Sequence, residues 1–272
     1  MKNMKRLKNC YLYIFLNAKT AFNSQYVYKA ASLLNFLTQV ILILAQYFLW
    51  NAIYSNTTSV NNFTFEDMIT YLVLSFSMGR LYPFSVSGKF GRMVKNGDII
   101  HNLLKPVKIE YQLFTDSLGE LFYKMIFIAL PIILTGYLFL DIHIMVDMST
   151  FIMALIFWIS SYVFIFTLEL SIGVFSYYTN SLWGINNFKS SIISILSGKI
   201  LPINFYPKLF QSIIYYLPFS TIYFVPINIL LNKPINDAFT LLLILWGSIA
   251  ILYCFYKVMS KIMIRKIMIQ GG

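Results

Sequence analysis

Charged side chains are scarce in this chain of 272 residues. Asp, Glu, Lys and Arg make up 11% of it, against about 25% in soluble domains, whereas hydrophobic residues make up 58%. The mean hydropathy of +0.70 reflects the same imbalance. These values exclude a soluble globular domain and predict an integral membrane protein.

Groups that carry chemistry are also few. His101 and His143 are the two histidines, predicted on opposite sides of the membrane, so no histidine-based metal site can form. Cys10 and Cys254 are both predicted on the cytoplasmic side, where thiols stay reduced, so no structural disulfide is expected. The chain has no G-x-S-x-G motif and no G-x-x-x-x-G-K-[ST] loop to cradle nucleotide phosphates. The sequence therefore predicts neither a catalytic centre nor a cofactor in this chain.

Long apolar runs, in contrast, are abundant. Five of them reach the roughly 20 residues needed to cross about 30 Å of hydrocarbon. They lie at 30–54, 67–87, 121–140, 150–178 and 237–258. Both termini are basic, and the positive-inside rule places both in the cytoplasm, so the number of crossings should be even. We therefore expect an all-α membrane protein with six transmembrane helices, located in the cell inner or plasma membrane.

The sixth span must come from residues 182–231. We assign it to 182–201, a weakly hydrophobic stretch rich in asparagine and serine, which should face protein or water rather than lipid. The alternative is that the chain crosses at 208–231 and that the preceding segment is re-entrant.

The distribution of basic residues follows the same topology. Predicted cytoplasmic segments hold most of them, including the six from Arg80 to Lys108, whereas Lys199, Lys208 and Lys233 fall outside those segments. Orientation and contact with anionic membrane lipid account for the net charge of +11, so no nucleic-acid partner is expected.

Residues 1–27 are predicted to form a helix lying in the inner membrane interface. Lysines and asparagines occupy much of one side, while apolar residues recur at helical spacing on the other. Those apolar residues are Leu7, Tyr11, Ile14, Phe15, Ala18 and Phe22. An ordinary basic lead-in to the first span is the alternative.

The connection between the second and third spans, 88–108, is predicted to contain a short helix. Asp98 can cap that helix, and Pro106 would end it after about two turns. Its apolar side would be formed by Ile99, Leu103 and Leu104. Such a helix, held between two spans, can pass force to a soluble partner. A solvated basic loop that meets lipid headgroups is the alternative.

Residues 200–222, which we call the outer segment, are apolar but interrupted by prolines. Proline removes a backbone donor and clashes with the preceding helical turn, so this segment should form two short helices that dip into the membrane from outside. We predict that it acts as an outer gate. The residues assigned to the gate are Pro202, Phe205, Pro207, Pro218 and Phe219.

Ionisable residues within the spans are the remaining candidates for function. Glu169 lies about 27 Å down the fourth span, close to the inner interface. It could contact cargo on the pathway, or it could form an ion pair with Lys189 or Lys124. Asp116 and Glu120 precede Lys124 at helical i, i+4 spacing, which predicts a stabilising ladder on the third span.

Three motifs, taken in order, resemble a known family. They are Gly97-Asp-Ile-Ile-His-Asn-Leu-Leu-Lys-Pro-Val107, Leu196-Ser-Gly-Lys-Ile-Leu-Pro-Ile-Asn-Phe-Tyr-Pro207 and Leu217-Pro-Phe219. They are similar to the permease subunit of ABC-2 type ABC transporters. The resemblance covers essentially the whole chain in length, span order and motif order, and implies a single transmembrane domain over 1–272.

The resemblance implies six spans, an interfacial N-terminal helix, a coupling helix after the second span and paired outer helices before the last. It implies a second permease, the same or a paralogous chain, and cytoplasmic ABC ATPase subunits that bind ATP and Mg. The ATPase contact would fall on Gly97, Asp98, Ile99, His101, Leu103, Leu104 and Pro106. Most such permeases are exporters, and the apolar spans favour a hydrophobic or amphipathic cargo such as a peptide, a drug or a lipid-like molecule.

Two other classes of membrane protein were compared with this interpretation. A secondary transporter, or a lipid-handling protein without an ATPase partner, is the alternative function. A secondary transporter would typically show internal repeats and ionisable residues near the midplane, and we find no persuasive repeat. A membrane-embedded enzyme would need a clustered acid, base or metal set, which the sequence lacks.

Overall fold

The computed structural model describes the backbone of residues 2–144, 146–179 and 181–270, and the side chains of 12–144, 146–179 and 181–266. The described chain is mainly helical. Its α-helices are α1 (Lys2–Val27), α2 (Lys29–Tyr54), α3 (Phe65–Leu81), α4 (Val86–Lys95), α5 (Asp98–Leu103), α6 (Ile109–Lys124), α7 (Leu130–Phe139), α8 (Met148–Val174), α9 (Trp183–Leu196), α10 (Lys208–Tyr215), α11 (Phe224–Leu230) and α12 (Ala238–Gln270). Two short strands, β1 (Ser59–Val60) and β2 (Phe63–Thr64), form an antiparallel hairpin.

Among the described residues, four helical segments are long and apolar enough to cross a bilayer. They are Lys29–Tyr54, Ile109–Phe139, Met148–Tyr177 and Ala238–Lys266. The pair Lys208–Tyr215 and Pro218–Leu230, bent by 77°, would add a fifth if it forms one span. Helix length and composition thus identify four or five candidate spans of the six expected, and they agree with a helical membrane protein.

The third span is longer than its apolar run suggested. It begins at Ile109, well before the predicted start at residue 121, and passes through a π-helical turn at Met125–Ala129. Pro131 follows that turn and has no N–H to donate to the carbonyl four residues earlier, which favours a local change in the helical hydrogen-bond pattern.

The second predicted span, 67–87, is wrong at its C-terminal end. Helix α3 ends at Leu81, because Tyr82 adopts an extended conformation ahead of Pro83. Its 17 residues cover only about 25 Å. Most side chains from Met68 to Met78 are buried within the chain, so protein surrounds this short helix.

Helix α9 is likewise shorter than the predicted span 182–201. It has 14 residues and ends at Leu196, just before Gly198, whose φ is +75°. A 3-10 turn at Ile203–Phe205 follows. Helix length does not distinguish a crossing at 182–201 from the alternative crossing at 208–231.

The strand pair marks one end of the molecule, which we call the hairpin end. Lys233, just beyond α11, forms an ion pair with Asp67 at 2.6 Å and donates a hydrogen bond to the carbonyl oxygen of Asn62 at 2.7 Å. The C-terminal end of α2, the start of α3 and the end of α11 therefore meet there.

The opposite end is built around α5, and we call it the α5 end. Ile99 of α5 and Phe90 of α4 share an apolar cluster with Tyr256 and Met263 of α12. The last helix, α12, therefore reaches this end.

Helix α1 lies along α6 at the α5 end. The side chain of Asn17 donates hydrogen bonds to the carbonyl oxygen of Gln112 at 2.9 Å and to the Thr115 hydroxyl at 2.8 Å. Burial and the nearby carboxylate of Asp116 raise the pKa of Tyr13. Helix α1 shows that Lys2–Val27 of the predicted stretch 1–27 is helical, while its place in the inner membrane interface stays a prediction; the side chains of Leu7 and Tyr11 lie outside the described residues.

We expect Gly119→Leu to separate α1 from α6. A Cβ at Gly119 would lie 2.1 Å from the Ala18 carbonyl oxygen and 2.8 Å from the Ala21 Cβ, so a larger side chain cannot fit without moving α1. The strain should lower the free energy of unfolding by about 1–3 kcal/mol or more, and trypsin should cleave faster at Lys19. Gly247→Leu is the control, because its added Cβ would meet no atom within 4 Å beyond its chain neighbours and the adjoining backbone of its own helix. Equal cleavage in both variants would contradict the prediction.

Candidate functional site

Helix α5 begins differently from the prediction. Gly97, with φ of +79°, occupies the N-cap position, and Asp98 is the first helical residue. The expectation that Asp98 caps the helix is therefore wrong, because the left-handed turn between α4 and α5 places a glycine there. The Asp98 carboxylate still lies in the first turn, where the helix dipole favours an anion.

The apolar residues of α5 do not share one side, which corrects a second expectation. Ile99 is 1% exposed and packs into the core, whereas Leu104 is 79% exposed. Ile100 and Leu103 are also exposed, as are His101 and Pro106. Three apolar side chains, Ile100, Leu103 and Leu104, thus stand uncovered on a short helix at the α5 end.

Helix α5 is fastened to the start of α6. The Gln112 side-chain amide donates hydrogen bonds to the carbonyl oxygens of Asn102 at 2.8 Å and Val107 at 2.7 Å. A force on α5 therefore reaches α6 directly.

Helix α4 is fastened to α6 by ion pairs. Lys89 contacts the carboxylates of Asp116 and Glu120, the latter at 2.5 Å, and the Ser85 hydroxyl donates to Glu120 at 3.0 Å. Lys124 pairs with Glu120 at 3.1 Å within α6. The predicted ladder on the third span thus exists in part, but Asp116 pairs with α4 instead of its own helix. The structure brings Lys124 to Glu120 and not to Glu169.

The most deeply buried ion pair joins Glu169 of α8 to Lys189 of α9. Their side chains are 0% and 7% exposed. The other carboxylate oxygen of Glu169 accepts a hydrogen bond from the backbone N–H of Ser87 at 2.9 Å. Asn186 completes the group, since its side-chain oxygen accepts hydrogen bonds at 3.0 Å from both the Ser87 hydroxyl and the Lys189 ammonium.

This cluster connects three helices. Ser87 is the second residue of α4, so the Glu169 carboxylate satisfies a free N–H group and lies at the positive end of the α4 dipole. The N-cap residue of α4, Ser85, makes no side-chain capping bond of its own. Glu169 therefore supplies the cap from α8, and Lys189 carries the connection on to α9.

The outer segment forms short helices, as its prolines predicted. Pro202 and Pro207 precede the 3-10 turn Ile203–Phe205 and helix α10, and Pro218 begins a second 3-10 turn before α11. Pro202, Ile203 and Ile214 are buried, as are Ser220 to Ile222, whereas most side chains from Pro207 to Ile213 are exposed. The segment therefore packs against the helical bundle near its two ends and leaves most of α10 uncovered.

The two aromatic gate candidates have different neighbours. The Phe205 ring packs edge-on against Trp50 at 5.4 Å and Phe63 at 5.7 Å, close to the hairpin end. Phe219 packs against Phe164 of α8 at 5.8 Å. The predicted gate residues thus lie in two places.

A comparison with protein families identifies the group to which this molecule belongs. A family model described as "ABC-2 family transporter protein" matches residues 40–271. The chain belongs to the ABC-2 transporter family. No curated protein matches the chain. Family membership supports a multi-pass transmembrane permease, a subunit that is generally not catalytic itself, and implies partnership with ABC ATPase subunits.

The distribution of basic residues in the sequence predicted the positions of two cations of this ABC-2 permease wrongly. Arg80 was expected in the cytoplasm and Lys199 outside, yet the Lys199 side chain, just after α9, lies beside Gly79 of α3, the residue before Arg80. A count of basic residues cannot detect this contact, because it depends on how α9 docks against α3. The sequence around each cation does carry one indication of a buried site, since each cation follows a glycine and lies among apolar residues.

Proposed function

We propose that this ABC-2 permease is the transmembrane subunit of an exporter that moves a hydrophobic or amphipathic cargo out of the cytoplasm. A separate ATPase subunit would bind ATP and Mg and supply the hydrolysis. The observation that carries the proposal is the uncovered apolar side of α5, formed by Ile100, Leu103 and Leu104, in a chain of this family. A peptide, a drug or a lipid-like molecule would suit the apolar spans.

In the proposed topology the α5 end and both termini lie in the cytoplasm. The six spans would be α2, α3, α6 with α7, α8, α9 and α12, and the outer segment would lie in the outer leaflet. The concentration of lysine and arginine in the connections at the α5 end supports this orientation.

A second permease, the same chain or a paralogue, would complete the pathway. Helix α9 leaves a mixed surface uncovered, in which exposed Asn187, Ser190 and Ser191 accompany Phe188. Polar side chains at membrane depth should face protein or water, so α9 suits a contact with the second permease or the pathway itself.

Movement would pass from α5 to the outer segment through rigid connections. Helix α4 is joined to α8 and α9 through Glu169, Ser87 and Lys189, and α9 leads into the outer segment. A rotation of the ATPase against α5 would therefore shift α9, and the outer segment would follow as the gate. The pairing of Glu169 also favours this scheme over a secondary transporter, in which a coupling carboxylate must be free to bind and release its ion.

Leu104→Asp should weaken association with the ATPase by about tenfold or more, because it places a carboxylate on the exposed apolar side of α5. Copurification of a Walker-motif ATPase with tagged permease from native membranes measures the effect. Leu104→Met is the matched control and should retain binding. Normal copurification with Leu104→Asp would place the contact elsewhere. Absence of any ATPase with the wild-type chain would overturn the proposed function.

A further inference from the structure

Two hydrogen-bond donors, Tyr223 and Lys199, meet beside Gly79 of α3, and the cationic Arg80 is the next residue of the helix. A Cβ built on Gly79 would lie 3.1 Å from the Tyr223 hydroxyl and 3.7 Å from the Lys199 ammonium nitrogen. The Lys199 nitrogen is 6.0 Å from the centre of the Tyr223 ring. Arg80 follows Gly79 on α3 and is half-buried, so a second cation belongs to the same turn of the helix. The absence of a side chain at Gly79 leaves space for these groups to approach one another.

This group of donors lies deep in the bundle. The carbonyl oxygen of Thr221, two residues before Tyr223, accepts a hydrogen bond at 2.7 Å from Ser161, which is near the middle of α8. The carbonyl oxygen of Lys199 accepts one at 2.7 Å from Ser75, near the middle of α3. The donors are therefore at membrane depth, where unpaired charges are costly and usually functional.

No acceptor in the described part of the chain satisfies these donors. No described carboxylate lies within ion-pair distance of Arg80 or Lys199. The Tyr223 side chain is 0% exposed, and its hydroxyl has no hydrogen-bond partner. Two cations without a described counter-charge, together with a buried hydroxyl that has no described partner, form a site suited to an anion.

The site has apolar surroundings and an open side. Arg80 and Lys199 are half-buried, so both remain reachable. Ile195 and Ile200, which flank Lys199 in sequence, are 52% and 55% exposed. A ligand with an anionic head and an apolar tail would match this combination of cations and uncovered isoleucines.

We propose that Arg80, Lys199 and Tyr223 bind the phosphate-type head group of an amphipathic molecule. A guanidinium, an ammonium and a hydroxyl can together donate to several oxygens of one phosphate. The binding site itself stands without the ATPase. Its use in transport rests on the proposed function, for which it would define the cargo as an anionic amphiphile.

Binding of dodecyl phosphate to the purified permease in neutral-lipid nanodiscs tests the site without the ATPase. We expect Arg80→Gln and Lys199→Gln to weaken binding by about tenfold or more and Lys199→Arg to keep most of it. Lys29→Gln is the control, because Lys29 is exposed at the start of α2 and should leave binding unchanged. Equal affinity in wild type and both glutamine variants would overturn the inference, while ATPase copurification would still test the proposed function separately.

Tyr223→Phe separates ligand binding from a structural role. Because the hydroxyl has no partner, its removal should leave thermal stability unchanged or higher and still weaken dodecyl phosphate binding by about threefold or more. Lower stability with unchanged affinity would contradict the proposal. Inorganic phosphate should compete only weakly. Competition at the same concentration as dodecyl phosphate would overturn the requirement for an apolar tail and identify a free anion as the ligand.

Discussion

Glu169→Leu should destabilise the permease by about 3–5 kcal/mol, because it leaves the ammonium of Lys189 buried without its anion. The substitution also removes the acceptor for the backbone N–H of Ser87 at the start of α4. Lys189→Met should have a similar effect, since it leaves the carboxylate of Glu169 uncompensated. Unfolding by steric trapping in bicelles measures both.

Two double variants distinguish the ion pair from the cap that Glu169 gives to α4. Glu169→Leu with Lys189→Met should recover much of the stability, since replacing both members of a buried pair with apolar groups is often neutral. Glu169→Lys with Lys189→Glu should recover much less, because its lysine places a positive charge at the N-terminus of α4, which the helix dipole disfavours, besides lacking an acceptor for the Ser87 N–H. Wild-type stability in either single variant, or full rescue by the exchanged pair, would contradict this account.

The sequence predicted that Glu169 either contacts cargo or pairs with Lys189 or Lys124, and it could not choose between the two lysines. Lys124 lies in an apolar stretch, and Lys189 lies in a predicted span rich in asparagine and serine, so placement in the membrane favours an ion pair in either case. The choice depends on which helix packs beside α8 at that depth, which is a tertiary property. The role of Ser87 could not be predicted at all, because any residue at that position would present the same backbone N–H.

The connection 88–108 was likewise predictable only in part. Local chemistry predicted a short helix in 88–108, and a helix over Asp98–Leu103 is present. Its orientation was not predictable, since four apolar residues on fewer than two turns can bury any side. Ile99 is buried because Phe90 and the α12 residues approach it from one direction, which leaves Leu104 uncovered.

Hydropathy also predicted the long spans better than the short ones. It measures the preference of a segment for an apolar environment but cannot distinguish lipid from protein. The apolar side chains of α3 are mostly covered by other parts of the chain instead of lipid, and Pro83 ends the helix before it is long enough for a full crossing. Weakly hydrophobic α9 packs through Lys189 and Ile193 and leaves its polar residues uncovered.

Locking α10 to the connection before α12 should abolish ATP-dependent export. The Tyr216 hydroxyl, in the outer segment, donates a hydrogen bond to the Asp237 carboxylate at 3.1 Å, so a crosslink between these two positions would fix the outer segment to the start of α12. Tyr216→Cys with Asp237→Cys, in a chain without Cys10 and Cys254, can be joined by a short bifunctional thiol reagent. If the gate opens through helix shifts of about 1–2 Å or more, this link should hold it closed.

Export of an amphipathic dye into inside-out vesicles measures the effect, with ATPase copurification as the test of intact assembly. Two controls should export at near wild-type rates: the double variant without reagent, and each single variant with reagent. They lose only the exposed hydrogen bond between Tyr216 and Asp237, and no crosslink forms between the two positions. Loss of export only after crosslinking would support the gate. If the crosslinked permease exports normally, the outer segment is a static anchor that caps the bundle, and the opening must lie between other helices, with α9 and its uncovered polar side the next to be tested.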